Sequence, residues 1–411
     1  MAIVQPFRAI RASREKVTLV SSRPYESYSD AELGAQLEFN PYSFLHIINP
    51  GYRFQQETPS ETRFKLVKNR FTEFIEDKIL HKDEKPLFYI YKKVTKENTF
   101  CGIIAATSSE DYLNNTIKKH EDTIHSREVL FGKYLEAVGF NAEPVLLTYP
   151  DNDAIASIIE KYQLLRPEYE FTSTNKKTHY LWLVENENDI ANISLEFQQM
   201  DAIYIADGHH RSASSALVSN ALKSSNLNHQ GTEPYNFFMS YLIPESNLKI
   251  SSFNRFIKGL NGYSKEAFLI KLDTWFQISN LGQQLYNPSK KHHFSMYLDG
   301  EFYSLFLRKE MYEIENPLSD LDAQILYDLI LNPILGITDL RNDDRINYLP
   351  AKNAEIQLKT EVDSGKFKIS FGLFPATVEQ IKAIADADLK MPPKSTYIEP
   401  KLRSALTLYE F

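Results

Sequence analysis

The chain has 411 residues and a mass of 47.6 kDa, more than one hydrophobic core usually holds, so two or three structural units are expected. Its 46 basic and 54 acidic residues leave a net charge of −8, which argues against a general nucleic-acid binder built on a basic stripe. A single cysteine, Cys101, excludes a disulfide framework and any zinc site made of several thiolates.

No stretch reaches the roughly 18 apolar residues of a membrane span. The opening MAIVQPFRAIRASREK lacks the apolar core of a signal peptide. The expectation is a soluble, cytoplasmic protein. Glycine is scarce, at 14 residues, and neither G-x-G nor G-x-x-x-x-G-K-[ST] occurs. The dinucleotide fingerprint and the P-loop are thereby removed. A phosphate, if bound, is held by another device.

In chain order, the run Val17 to Val20 reads as a β-type segment stopped by Pro24. Ser29 caps a short helix through Ala31–Leu37. Residues 59–80 form an amphipathic helix, with Phe64, Val67, Phe71, Phe74 and Ile75 at three- and four-residue spacing. PLFYIYKKVTKENTFCGIIAATS reads as a hairpin turning around Lys96, Glu97 and Asn98. A helical stretch from about Leu113 to Phe140 leads to a buried-type strand at 144–150. A helix, DAIASIIEKYQLL, and a strand at 178–186 follow. Then DAIYIADGHHRSASSALVSNALKSS joins a β-rich run, a turn and a clear helix.

LKISSFNRFI is a strand and SKEAFLIKLDTWF a helix. FSMYLDGEFYSLFLR is a hairpin turning at Asp299 and Gly300. DLDAQILYDLIL is helical, and MPPKSTYIEPKLRS is a Pro-rich closing loop. The mixture indicates an α+β (mixed α/β) fold. It is divided into an N-terminal segment 1–85, a core 86–245 and a C-terminal α+β unit 246–411.

The sharpest chemical feature is IADGHHRSASSA at 205–216. Gly208 permits an unusual turn, and the helix after it aims free N–H groups and a positive dipole end at whatever sits near His209–Ser212. Asp207 can hold a magnesium ion or orient a histidine, and His209, His210 and Arg211 can hydrogen-bond phosphoryl oxygens. As a helix cap alone, His-His-Arg would be a costly first turn.

The second feature is IKKHEDTIHSRE at 117–128. It has one residue too many for H-E-x-x-H. At about 100° per residue, His120 and His125 would stand roughly 140° apart on one helix. The zincin reading fails, leaving Glu121 as a candidate base or a solvated surface group. The third feature, MPPKSTYIEPKLRSAL, gathers Lys394, Lys401 and Arg403 with the hydroxyls of Ser395 and Thr396 on a proline-stiffened loop. An anion pocket and a docked tail are both open readings. Arg8 and Arg11 in PFRAIR suit either anion binding or structural ion pairs.

These residues carry a resemblance. PFRAIR, RPYES, NPYSFLHI, IKKHEDT, EPVLLTYPD, IADGHHRSASSA, FNRFIKGLNG and MPPKSTYIEPKLRS are similar, nearly end to end, to a prokaryotic family labelled domain of unknown function 1015. That family more often has an Asp where Glu26 stands. A more distant resemblance covers residues 86–225. There the order His-Glu, helix, P-V strand and D-G-H-H-R is similar to the ParB/sulfiredoxin-like superfamily and its free serine kinase branch.

The resemblance implies that Glu121 activates a serine hydroxyl. It also implies that Asp207, Gly208, His209, His210, Arg211 and Ser212 handle phosphate, with Mg2+ and an adenine nucleotide, ADP or ATP, as cofactors. The expected function is a phosphotransferase interconverting L-serine and O-phosphoserine. A phosphoserine phosphatase, a nucleotide-gated ParB-like binding protein and a non-catalytic scaffold with a vestigial turn are the alternatives. Self-association is left open.

Overall fold

The computed structural model describes residues 1–52 and 59–411. They group into two compact units. The first comprises Met1–Lys119, Thr123–Leu248 and Pro400–Phe411; the second comprises His120–Asp122 and Lys249–Glu399. The architecture is mixed α/β with one large mixed sheet.

Among the described residues, nine strands form the sheet of the first unit. From one edge run Ile117–Lys118, Ile203–Asp207, Val145–Tyr149, Phe237–Pro244, Thr99–Ser108, Phe88–Val94, Thr178–Val184 and Tyr169–Thr172, with Val4–Gln5 also paired to Thr99–Ser108. Ile203–Asp207 is parallel to Ile117–Lys118 and antiparallel to Val145–Tyr149, which is itself parallel to Phe237–Pro244.

The expected hairpin is present, with Phe88–Val94 antiparallel to Thr99–Ser108 and Val94 opposite Thr99. Phe88, Tyr89, Ile90 and Tyr91 are all buried. Successive residues point to opposite faces of a strand, so both faces here are covered. One face packs on a core that includes Ile103, Leu147, Ile155, Trp182, Phe197 and Ile205.

The second unit has its own sheet of six antiparallel strands. Their order is Phe276–Gly282, Glu301–Leu307, His293–Leu298, Ile369–Leu373, Phe253–Ile257 and Ile346–Pro350. Phe256, Tyr297, Phe302, Leu358 and Phe367 form part of its core. The hairpin at Asp299 and Gly300 turns with positive φ at both residues, 49° and 84°, as a tight two-residue turn requires.

Two expectations are corrected. Val17–Val20 is a single helical turn rather than a strand, begun by the Lys16 and Val17 amides bonding back to Ser13 O. Its β-branched residues yield to a local turn, as short runs do when tertiary context decides. The helical stretch from 113 to 140 is three elements: helix Ser109–Leu113, strand Ile117–Lys118 and helix His125–Val138. His120 and Glu121 therefore precede the second helix, and His120 and His125 do not share one. The break comes from the long-range pairing of Ile117 with Ile203, which local periodicity does not report.

Candidate functional site

Strand Ile203–Asp207 ends in a register shift between Ile205 and Asp207 against Val145–Tyr149. Such bulges re-aim side chains at strand ends, and here the residue affected is Asp207. Gly208 follows at φ 101° and ψ 29°, and helix His209–Ser225 begins directly after it. This left-handed conformation suits glycine. The space requires it as well: a Cβ at Gly208 would lie 3.1 Å from Arg211 Nε and 3.2 Å from its Cζ.

The helix is then buried all round over one turn of small residues, Ser212, Ala213, Ser214, Ser215 and Ala216. It packs on helix His125–Val138, where the position of a Cβ on Gly132 would lie 3.8 Å from Val218 Cγ2. The close packing holds the helix start firmly. Ser212 Oγ donates to the carbonyl of His209 at 3.1 Å, and Ser214 Oγ donates to that of His210 at 2.7 Å. The Ser212 amide is the first to bond back, to Gly208 O. The helix dipole places partial positive charge at this end.

Asp207 is the electrostatic centre of this turn. Its Oδ1 accepts a hydrogen bond from Lys401 Nζ at 2.9 Å, and its Oδ2 accepts one from Arg211 NH2 at 3.1 Å. Burial alone would raise the Asp207 carboxyl. Lys401 and then Arg211, with a further contribution from His209, hold it below the usual carboxylate range. Asp207 is therefore an anion at neutral pH.

Arg211 is fixed from the other side, donating from NH1 to Pro144 O at 2.6 Å and standing 3.6 Å from Glu143 Oε2. Ser404 Oγ donates to the other oxygen of Glu143. Lys93 Nζ donates to Lys401 O at 2.5 Å and so holds the Lys401 backbone. Lys93, Glu143 and Pro144 were not singled out by the sequence. The only available signal was that Glu143 and Pro144 lead into strand Val145–Tyr149, the neighbour of Ile203–Asp207.

The structure thus brings Asp207, Gly208, His209, His210, Arg211, Ser212 and Lys401 together in the first unit. His209 is buried and His210 half-buried. Arg403, also in this unit, donates from its guanidinium to Ser21 Oγ and Ser21 O and lies over the Phe171 ring. With the paired backbones of Ser22 and Ser404, it anchors residues 400–411. Arg8 Nε donates to Asp83 O at 2.8 Å, and Arg11 forms a buried ion pair with Asp83 at 2.9 Å.

The remaining candidates belong to the second unit. Glu121 lies in its short segment His120–Asp122, where His120 O accepts the Met391 amide and Asp122 O accepts Arg341 NH2. Lys394 Nζ stands 5.3 Å from the centroid of the Phe253 ring, and Lys394 O accepts Arg255 NH2. Ser395 Oγ donates to Pro392 O, and Thr396 is buried. For a magnesium ion, Asp207 is the available carboxylate of the first-unit cluster. Both its oxygens face cations, so a metal there would take the place of Lys401 or Arg211.

The chain belongs to the family described as protein of unknown function (DUF1015), whose model matches residues 4–324. Comparison with curated proteins gave no match. Among solved structures it is distantly similar to SbnI with a C-terminal truncation from Staphylococcus aureus, at 12% identity and TM-score 0.39, covering 74% of this chain and 87% of that one. A conserved hypothetical protein from Pyrococcus furiosus gives 12% identity and TM-score 0.35, covering 71% of this chain and 93% of that one. A free serine kinase in complex with AMP gives 11% identity and TM-score 0.33, covering 71% and 89%. No helix among the described residues is long and apolar enough to cross a membrane.

Proposed function

We propose that this protein is a cytoplasmic small-molecule phosphotransferase of serine metabolism, built on a ParB/sulfiredoxin-like core at residues 86–245. It would pass a phosphoryl group between an adenine nucleotide and the hydroxyl of L-serine. The observation that carries the proposal is the Asp207 turn: a carboxylate held ionised between Lys401 and Arg211, directly before the positive dipole end of helix His209–Ser225. Phosphoryl transfer asks for positioning and for neutralisation of oxygen charge more than for covalent help. Cations and helix-end amides supply both.

Arg211, His209 and His210 are assigned to the phosphate oxygens, Gly208 and Ser212 to the shape of the turn, and Lys401 to the edge of the anion site. Glu121 is assigned the serine proton: as the serine oxygen attacks phosphorus, its proton passes to the Glu121 carboxylate while the nucleotide oxygen leaves. That assignment rests on the order of motifs in the sequence. Lys394, Ser395, Thr396 and Arg403, cations and hydroxyls gathered on one proline-stiffened loop, and Arg8 are assigned to secondary anion recognition. A magnesium ion carried in with the nucleotide would neutralise phosphate charge and needs few protein carboxylates, which suits a turn with one.

The test is direct. Purified protein is incubated with serine, phosphoserine, ADP, ATP and magnesium, and products are resolved by mass. Nucleotide-dependent interconversion of serine and phosphoserine supports the proposal. Free phosphate from phosphoserine without nucleotide turnover makes the protein a phosphatase, and no conversion in any combination removes serine chemistry from it.

A further inference from the structure

The second unit contains a cavity of about 450 Å3 that plays no part in the site above. This is the size range of small-molecule sites, roughly 300–1,000 Å3. Three lysines line it, Lys290, Lys291 and Lys309, against one carboxylate, Asp320.

Asp320 is already engaged. Its Oδ2 is 2.6 Å from Lys291 Nζ, and its Oδ1 is 2.9 Å from His292 Nε2. Lys290 and Lys309 form no ion pair among the described residues. Two lysines that form no ion pair thus line one cavity beside a single carboxylate that is already engaged. Neighbouring like charges repel, and a bound anion relieves the repulsion through charge-assisted hydrogen bonds.

The wall bearing two of these lysines is rigid. His292 adopts φ 67°, uncommon for a residue other than glycine and sustained only where the surroundings impose it. They do so here through its ring bond to Asp320 and through its amide, which donates to Asp322 Oδ1 at 2.8 Å. Lys290, Lys291 and His293 extend from that pinned backbone. Lys309 comes from the short helix Lys309–Met311, beyond the partner strand Glu301–Leu307. The His293 ring lies 4.0 Å from that of Phe306. Burial, then Lys290 and His292, hold the His293 imidazole below its usual range. Tyr312 and the exposed Ile314 complete the lining with surface for an organic body.

We propose that this cavity is a binding site for a small dianionic metabolite with an apolar or flat body, its two negative charges held by Lys290 and Lys309. Phosphomonoesters and dicarboxylates share this chemistry. The site is separate from the phosphotransfer reading and does not depend on it.

The test uses the full chain with 13C-labelled histidine, whose ten residues give a tractable NMR spectrum. The His293 signal is identified with His293→Gln. Inorganic phosphate, phenyl phosphate and succinate are titrated separately, with chloride as the control. The expected result is a saturable shift of His293 with at least one dianion, tighter for phenyl phosphate than for inorganic phosphate if phosphate is the preferred group. Lys290→Ala with Lys309→Ala should weaken it about tenfold or more, the scale of losing charged hydrogen bonds. Lys290→Arg with Lys309→Arg should retain saturable binding. In the wild-type protein, affinity should also fall as sodium chloride is raised, a measurement that needs no variant. A shift that never saturates with any of the three, or binding unchanged in the double alanine variant or by salt, overturns the proposal. Phosphate bound near Asp207 would leave these readouts at His293 unexplained, so the two sites are told apart.

Discussion

Lys401 Nζ lies 2.9 Å from Asp207 Oδ1, although 194 residues separate the two in sequence. Both side chains keep about a third of their exposure, 36% for Lys401 and 35% for Asp207. An ion pair this accessible contributes little to stability, on the order of 1 kcal/mol or less. Its main effect is on the charge of Asp207. Lys401→Met is therefore expected to lower turnover of the serine reaction at least about tenfold, a modest loss beside that of a full charge-stabilising group. The melting temperature should change by only a degree or two. A large drop in melting temperature with unaltered specific activity would assign Lys401 to holding the tail.

Asp207→Asn keeps the shape and removes the charge. Turnover should fall by about a hundredfold, the scale of losing one preorganised electrostatic group, and His209→Ala and His210→Ala should fall similarly. The measurement is steady-state kinetics on variants whose circular dichroism matches the wild type. Wild-type turnover in all three would remove the phosphotransfer site from this turn.

Gly208→Ala tests the turn itself. At φ 101° a side chain is strained, and its Cβ would meet the Arg211 guanidinium at 3.1–3.2 Å. A destabilisation of about 1–3 kcal/mol is expected, read by denaturant unfolding. Arg211 would be pushed from its bond to Asp207, so nucleotide affinity should weaken as well. Unaltered stability would mean that the backbone relaxes at no cost.

Glu121→Gln retains hydrogen bonding but cannot accept a proton. Nucleotide binding should survive while transfer to serine collapses, as checked by calorimetric titration beside single-turnover chemistry. Loss of nucleotide binding with normal chemistry would make Glu121 a structural or metal-site residue.

Asp322, in the second unit, yields a pH prediction. Burial first, with Asp320 adding to it, pushes its carboxyl up to about 7, against the pull of the His292 amide. Among the described residues its Oδ2 has no hydrogen-bond partner. The unfolded carboxyl titrates near about 3.9. Between those values the folded state holds a proton that the unfolded state has released. The contribution of Asp322 to stability is thus full below about pH 4 and is lost as pH rises toward 7. Asp322→Asn does not titrate and keeps an oxygen for the His292 amide. Its melting temperature relative to wild type should rise between pH 5 and pH 8. A pH-independent difference would show that the carboxyl titrates normally.

Local chemistry was legible wherever it was contained in neighbouring residues. The hairpin from Phe88 to Ser108 followed from two apolar runs around a polar turn, and the strand, Gly208 and helix followed from composition alone. Partner choice across the chain was not legible. Nothing near Lys401 marks it, rather than Arg403, as the residue that reaches Asp207, because that depends on where the tail docks. The local pattern at Ile117–Lys118 reads as helix because its strand character comes from pairing with Ile203 and Tyr204. Strand Phe237–Pro244, central to the sheet, carries no strand signal of its own: a continuous apolar run buried on both faces shows no alternation. Lys290 and Lys309 carry no signal in the sequence, where surface cations read as solvated; only the cavity between them distinguishes them.

The first unit is interrupted in sequence by nearly all of the second, and Lys401 comes from the segment after the interruption. On the ribosome, at about 5–20 residues per second, Lys401 is made roughly 10–40 s after Asp207. During that interval Asp207 and Arg211 exist without the lysine, and strands already able to pair await the segment that will cover them. The nascent protein is therefore electrostatically unfinished at its candidate site, and that site matures only as residues 400–411 emerge and pair with Ile10 and Ser22, made long before them.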